Sequence, residues 1–211
     1  MLKDLEISRV KRDLNEFDTL IKFNEALSIV KKIKEKSEST VDKIAMGLNS
    51  FDLPTNFKNF KNNAFEGGVK IYFRGGVGFV NKNLVKSNSG LLDKYKVLLP
   101  KAGEGKGIFP NYIIGKPILA DKHSCCTMTY FILASFDDKK RAENFIKYSK
   151  TRFFRFLVSL KKSTQDTNKE KFSFVPDLDM SVEWTDEKLF KRYEINEKEQ
   201  EFIKSIVKEM N

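Results

Sequence analysis

The sequence has few residues of the kinds that hold metal ions or act as catalytic nucleophiles. Its two cysteines and its one histidine all lie in the stretch KHSCCTMTYF, residues 122–131. A structural zinc site needs about four ligands, usually from separated pairs, whereas Cys125 and Cys126 are adjacent and point to opposite faces of a strand. His123 is too close in sequence to serve as a base for either thiol. We therefore predict a core strand here, with neither a metal site nor a catalytic thiol.

Long apolar runs are also missing. No run approaches the roughly 18 apolar residues that a membrane span requires. The opening MLKDLEISRVKRDLNEF is charged from Lys3 onward and has no apolar signal region. Two adjacent cysteines cannot form a disulfide framework. We therefore predict a protein of the reducing cytoplasm with no membrane partner.

Positive charge is what the chain has in excess. Its 211 residues include 39 Lys and Arg against 29 Asp and Glu, a net charge of +10. Hydrophobic residues make up 40%, with 19 phenylalanines, which is enough for the core of one domain. A basic surplus of this size favours a polyanionic partner, most often nucleic acid. Lys-rich, Asn-rich and Phe-rich usage also follows from an AT-rich genome, so the charge alone does not establish such a partner.

Hydrophobic periodicity predicts an α+β fold: a small mixed or antiparallel sheet, a long N-terminal helix and packed C-terminal helices. The helix is expected over 21–47, with a weak point at 36–40. A hairpin is expected over 69–80, turning at Gly75-Gly76 because glycine allows the positive φ of a tight turn. Further strands are expected over 94–100, 112–120 and 125–136.

The C-terminal part carries helix signals. One continuous apolar face runs from Ala142 to Leu160 behind a cap at Asp137 or Asp138. Thr185 is the predicted cap of a helix over 186–193, and Asn196 with Glu199 forms a capping-box pattern for a last helix.

Short chemical motifs give little support to a catalytic site. GEGKG at 103–107 lacks the spacing of a phosphate-binding loop, and RGGVG at 74–78 is not a dinucleotide fingerprint. Asp177 after a proline, followed by Asp186-Glu187-Lys188, matches the nuclease pattern in which carboxylates hold Mg²⁺. A metal-dependent endonuclease using Asp177, Asp186 and Lys188 is therefore kept as an alternative, although Thr185-Asp186-Glu187 also fits a helix start.

Cationic and polar side chains in three places suit DNA contacts: the loops around 74–76 and 101–107, the strand with the threonines, and the basic helix with the turn after it. Arg and Lys bind phosphates, Gln can read adenine, and threonine hydroxyls can approach a backbone closely. The predicted DNA-binding residues are Arg74, Lys101, Lys106, Thr127, Thr129, Arg152, Arg155, Lys161, Lys162, Thr164 and Gln165. No catalytic residue and no metal ligand is predicted.

Several long segments resemble a known family. Residues 107–166, from GIFPNYIIGKPILADKHSCC to FFRFLVSLKKSTQD, and residues 172–193, FSFVPDLDMSVEWTDEKLFKRY, resemble the C-terminal target-recognition region of adenine-specific DNA methyltransferases and fused type II restriction-modification enzymes. FNEALSIVKKI and LPTNF resemble the stretch that joins the methylase domain to it. The likeness runs from about residue 20 to the C-terminus, and it carries no family catalytic residue into this sequence.

Methylases of this kind bind S-adenosylmethionine through a Gly-rich loop and flip adenine against a Pro-Pro motif. No Pro-Pro pair occurs here, and no strand–GxG–helix unit is evident. The resemblance therefore implies a recognition domain without the methyl-transfer core, with no cofactor in this chain and S-adenosylmethionine on a missing methylase part. Residues 1–47 are predicted to be a helical arm or linker and 48–211 the DNA-recognition domain. A second alternative is an interaction module in which residues 1–46 dock onto a methylase or restriction subunit.

Overall fold

The computed structural model describes residues 17, 19–103, 108–162 and 166–210, and they form an α+β fold. The helices are Glu25–Glu35 (α1), Val41–Ile44 (α2), Lys139–Lys150 (α3), Arg152–Lys161 (α4), Asp186–Arg192 (α5) and Glu197–Ile206 (α6). The strands are Gly68–Phe73 (β1), Gly76–Asn81 (β2), Tyr95–Pro100 (β3), Ile118–Ala120 (β4), Ser124–Cys126 (β5) and Tyr130–Phe136 (β6). The predicted fold class is confirmed.

In the described ranges the strands form two three-stranded sheets rather than one, ordered β2-β1-β5 and β4-β3-β6. β1 pairs antiparallel with β2 and parallel with β5, while β3 pairs antiparallel with β4 and β6. The predicted β1–β2 hairpin turns at Gly75 and Gly76, whose φ angles are 103° and 158°. An L side chain rarely adopts such angles, which is why two glycines stand at this turn.

The sheet of β3 and β6 is buried on both faces and separates two apolar cores. Val97 and Leu99 of β3 belong to a large core that the helices cover. Leu98, between them, belongs to a small core under the hairpin. Because successive side chains of a strand point to opposite faces, each strand supplies both cores in turn. Both strands are accordingly mostly apolar, with Val97-Leu98-Leu99 in β3 and Phe131–Ala134 in β6.

The small core closes what we call the hairpin lobe, defined as residues 51–93 with β5. Phe51, Ile71, Val80 and Leu92 are buried in it together with Cys125. The lobe therefore rests on one face of the β3–β6 sheet, opposite the helices.

α1 is part of the large core rather than an arm. Its apolar stripe of Ala26, Ile29, Val30 and Ile33 is buried, and Glu199 of α6 accepts hydrogen bonds from Ser28 Oγ at 2.8 Å and from Lys32 Nζ at 2.7 Å. The predicted boundary at residue 47 is therefore corrected for the described residues: 20–47 fold together with the C-terminal helices. Residues 1–16 and 18 of the predicted arm lie outside the described residues.

Three predicted elements are interrupted. The strand over 112–120 is regular only in β4, since the backbone at Ile113 has φ 64°. The strand over 125–136 breaks into β5 and β6 at residues 127–129. The helix expected along the apolar face from Ala142 to Leu160 breaks at Thr151, which has an extended backbone. Its Oγ1 accepts from the Phe154 N–H at 3.1 Å, and α4 begins there.

The predicted helix starts are confirmed. Asp138 caps α3 by accepting from the Arg141 N–H at 2.8 Å, and Thr185 caps α5. Asn196 and Glu199 form the predicted capping box of α6. The helix break expected at 36–40 also falls there, between α1 and α2.

Candidate nucleic-acid interface

The hairpin lobe carries positive charge that its own acids do not balance. Residues 58–86 contain one acidic residue, Glu66, against six basic residues: Lys58, Lys61, Lys70, Arg74, Lys82 and Lys86. None of the six forms an ion pair with a carboxylate of the described residues. Five of them are exposed and Lys70 is half-buried. This segment therefore presents a net charge of +5 to solvent, which suits a polyanion.

The helical side of the molecule differs in this respect. Residues 137–211, which form most of that side, contain 17 basic against 15 acidic residues. Some of these are paired, as in Arg141 with Asp179 at 3.0 Å and Lys147 with Glu183 at 2.6 Å. A paired cation contributes less to the field that an approaching phosphate meets. Half of the chain's net charge of +10 thus comes from residues 58–86.

The tip of the β1–β2 hairpin projects one cation and one apolar side chain. Arg74 is exposed at the turn, and Val77 at the start of β2 is 46% exposed. Of the predicted DNA-binding residues described by the structure, Arg74 lies within this unpaired basic surface. A two-stranded ribbon of this kind fits the width of a major groove.

The predicted contacts around residue 101 are split between surface and interior. Lys101 is exposed, and its backbone N–H donates to the Thr129 carbonyl at 2.9 Å. Thr127 is fully buried, with its hydroxyl 3.0 Å from that of half-buried Thr129. This corrects the prediction for Thr127, because the break between β5 and β6 turns its side chain inward. Lys106 lies outside the described residues.

Arg155 is a structural residue of the interior. It is 0% exposed, its Nε donates to the carbonyls of Lys150 and Thr151 at 3.0 and 3.2 Å, and its Nη1 donates to that of Lys208 at 2.7 Å. Burial lowers the pKa of the Arg155 guanidinium to about 10. The prediction of a DNA contact is therefore corrected: Arg155 ties the C-terminal tail to α4.

The other predicted cations of α4, and Lys162 just after it, make contacts within the protein. Arg152 forms an ion pair with Glu209 at 3.1 Å, and Lys161 Nζ lies 4.9 Å from the centre of the Phe174 ring. Lys162 Nζ donates to the Ile113 carbonyl, and burial, then the neighbouring Lys171, lowers its pKa to about 8. These three do not join the hairpin surface. Thr164 and Gln165 lie outside the described residues.

The carboxylates of the nuclease alternative have other partners. The two oxygens of Asp186 accept from the N–H groups of Arg152 and Phe153 at 3.0 and 2.8 Å, at the start of α4. Lys188 Nζ donates to the Glu183 carbonyl at 2.8 Å, and burial raises the pKa of half-buried Asp177. Among the described residues, no three His, Cys, Asp or Glu side chains lie close enough together to hold a metal ion. Asp186 thus fixes one helix against another.

A buried cation that the sequence did not reveal lies beside the cysteine strand. Cys125 and Cys126 are free and buried, and burial raises the pKa of each thiol to about 12, so both stay protonated near neutral pH. Beside them lies Lys96 of β3, which is 0% exposed. Its Nζ donates to the carbonyls of Leu91, Lys94 and Asp121.

Sequence reasoning missed the cations of 58–86 other than Arg74. Counting charges within that segment would have found them, since it has six basic residues and one acidic residue, whereas the totals for the whole chain do not show where the charge lies.

No family model, no curated protein and no solved structure matches the chain. No helix in the described part of the chain is long and apolar enough to cross a membrane.

Proposed function

We propose that the chain is a sequence-specific DNA-recognition domain or subunit of a restriction-modification adenine methyltransferase, and that it lacks the methyl-transfer core. The observation that carries the proposal is the unpaired positive charge of the hairpin lobe. Phosphate contacts from this lobe supply affinity, and a few side chains at base edges set the sequence that is read.

The surface for this role consists of the hairpin with its Arg74 tip and the exposed lysines around it, Lys58, Lys61, Lys82 and Lys86. Lys101, also exposed, contributes from the loop after β3. Methyl transfer and S-adenosylmethionine belong to a separate methylase part, which is a partner of this chain in the cytoplasm.

The two alternatives receive less support. An endonuclease built on Asp177, Asp186 and Lys188 would need Asp186 to leave the N–H groups at the start of α4. Docking through the apolar stripe of α1 would need that helix to leave the large core. Neither is required for DNA binding by the hairpin lobe.

Binding to labelled duplexes, measured by fluorescence anisotropy at two salt concentrations, tests the proposal. Arg74, Lys82 and Lys86 replaced together by glutamine should reduce the slope of log K against log salt by about 0.9 for each phosphate that the variant no longer neutralises. The matched control replaces exposed Lys139, Lys191 and Lys198 on the helical side, with the same change in net charge.

Equal weakening of binding in the two triple variants would show that only total charge matters and would refute the proposed interface. The sequence-specific role is tested by selection from a pool of randomised duplexes. Recovery of a short shared sequence supports it, and equal affinity for every duplex rejects it.

A further inference from the structure

One face of the hairpin sheet carries a row of alternating cationic and aromatic side chains. Phe79 of β2 pairs with Lys70 of β1 on one side. On its other side it pairs with Lys61, through two backbone hydrogen bonds of 2.8 Å that extend the sheet edge. Residues directly opposite each other in antiparallel pairs share a face. Lys61, Phe79 and Lys70 therefore lie side by side, with the ring between the two lysine side chains.

The Phe79 ring lies outside both apolar cores. It is half-buried, whereas Phe60 and Phe73 pack on the small core with their ring centres 4.2 Å apart. Phe73 is three residues from Lys70 on β1, so its side chain lies on the opposite face of the hairpin from Lys70 and Phe79. The sheet therefore separates the core-packed pair of Phe60 and Phe73 from Phe79.

A second aromatic ring borders the same face. A Cβ on Gly68 would lie 3.1 Å from Cε1 of Phe65, and Gly68 points to the same side as Lys70 because it is two residues away on β1. Lys61 Nζ lies 4.8 Å from the centre of the Phe65 ring. The absence of a side chain at Gly68 thus lets Phe65 lie beside the row. Exposed Val77 and Asn81 lie on the same face, which ends at Tyr72, opposite Val77 and buried in the small core.

We propose that this face, with Phe79 at its centre, binds an unstacked nucleobase of DNA. The base stacks on the Phe79 ring, and Lys61 and Lys70 contact the phosphates on either side of the nucleotide. Aromatic rings flanked by cations are the means by which proteins hold unpaired strands, because every base has a face that can stack and every nucleotide carries a phosphate. A purely apolar partner would leave the two ammonium groups without an anion.

The inference deepens the proposed function, since it takes the hairpin lobe as the DNA-binding surface, and it adds that the lobe distinguishes an extruded or unpaired base from a paired one. The test uses the full chain and three labelled probes: a short oligothymidine strand, a duplex, and that duplex with one unpaired thymine.

The central variant is Phe79→Leu, which keeps an apolar side chain and removes the ring. It should weaken binding of the single strand and of the bulged duplex about 5- to 100-fold, with the fully paired duplex almost unchanged. Phe79→Trp should restore the affinity. The matched control is Phe73→Leu, an aromatic of the same hairpin on the opposite face, which should leave the preference for unpaired bases intact. Thermal unfolding by circular dichroism establishes that each variant is folded.

The outcomes separate the two proposals. If the wild-type chain binds the paired and bulged duplexes equally and Phe79→Leu changes neither, the stacking site is refuted while duplex binding stands. If the chain binds none of the probes, both proposals fail. If Phe73→Leu loses the preference as fully as Phe79→Leu, the effect belongs to the hairpin as a whole and the assignment to this face is overturned.

Discussion

The buried Lys96 makes the stability of this protein depend on alkaline pH in a direction that can be calculated. Burial lowers the pKa of its ammonium group from 10.5 to about 8. Between these two values the unfolded chain binds the proton that the folded chain has released. Stability therefore rises with pH from about 8 to about 10.5, and below pH 8 both states are protonated and the effect is constant.

The size of the effect follows from the two pKa values. One pKa unit corresponds to about 1.4 kcal/mol, and between about pH 6.5 and pH 9.5 the folded state gains about 2 kcal/mol from this one group. The neutral amine still has two N–H donors, so it can keep the two shorter bonds, to Lys94 O at 2.6 Å and Leu91 O at 2.8 Å. The bond to Asp121 O, at 3.4 Å, is the one it gives up.

The assay is urea unfolding of the wild type and of Lys96→Met at those two pH values. Methionine cannot titrate, so the free energy of unfolding of the wild type should increase relative to the variant by about 2 kcal/mol at the higher pH. Groups that titrate in both proteins cancel in this difference. An unchanged difference would refute the reasoning, because it would show that the three carbonyls hold the proton on Lys96 as firmly as water does.

Two further predictions concern folding and reactivity. Thr151→Ala removes the acceptor for the Phe154 N–H at the start of α4 and should lower the free energy of unfolding by about 1 kcal/mol in urea titrations. Thr151→Ser, which keeps the hydroxyl, should cost clearly less, and equal destabilisation by the two variants would contradict a capping role. Cys125 and Cys126 should resist a chromogenic disulfide reagent in the native protein at neutral pH and react fully in denaturant, since their thiols are buried with pKa values of about 12. Rapid reaction of the native protein would contradict this.

The elements that could be predicted are those whose signal is local. The hairpin turn depends on Gly75 and Gly76 themselves, and the start of α6 depends on Asn196 and Glu199 bonding to each other's backbone. In each case the residues that make the structure are within four positions, so no knowledge of the tertiary fold was needed.

The elements that could not be predicted depend on what packs around them. Seven of the ten residues of α4 are buried. The prediction that the basic residues of this helix face solvent is therefore wrong for Arg155. Lys96 interrupts an apolar strand and would be read as exposed, but the carbonyls of Leu91 and Lys94 before it and of Asp121, 25 residues later, surround its amine. The positive charge of the hairpin lobe can be counted in the sequence of residues 58–86. That Lys61 lies beside Phe79 follows only from the pairing of the strands in the fold.

The hydrogen bond from Ser28 to Glu199 spans 171 positions of sequence, and it has a consequence during translation. α1 leaves the ribosome before α6, yet the surface that buries α1 includes α6. The small core, by contrast, draws only on residues 51–132. The nascent chain can therefore assemble its hairpin side first, whereas the burial of α1 is incomplete, and α1 is open to chaperones, until α6 has been made.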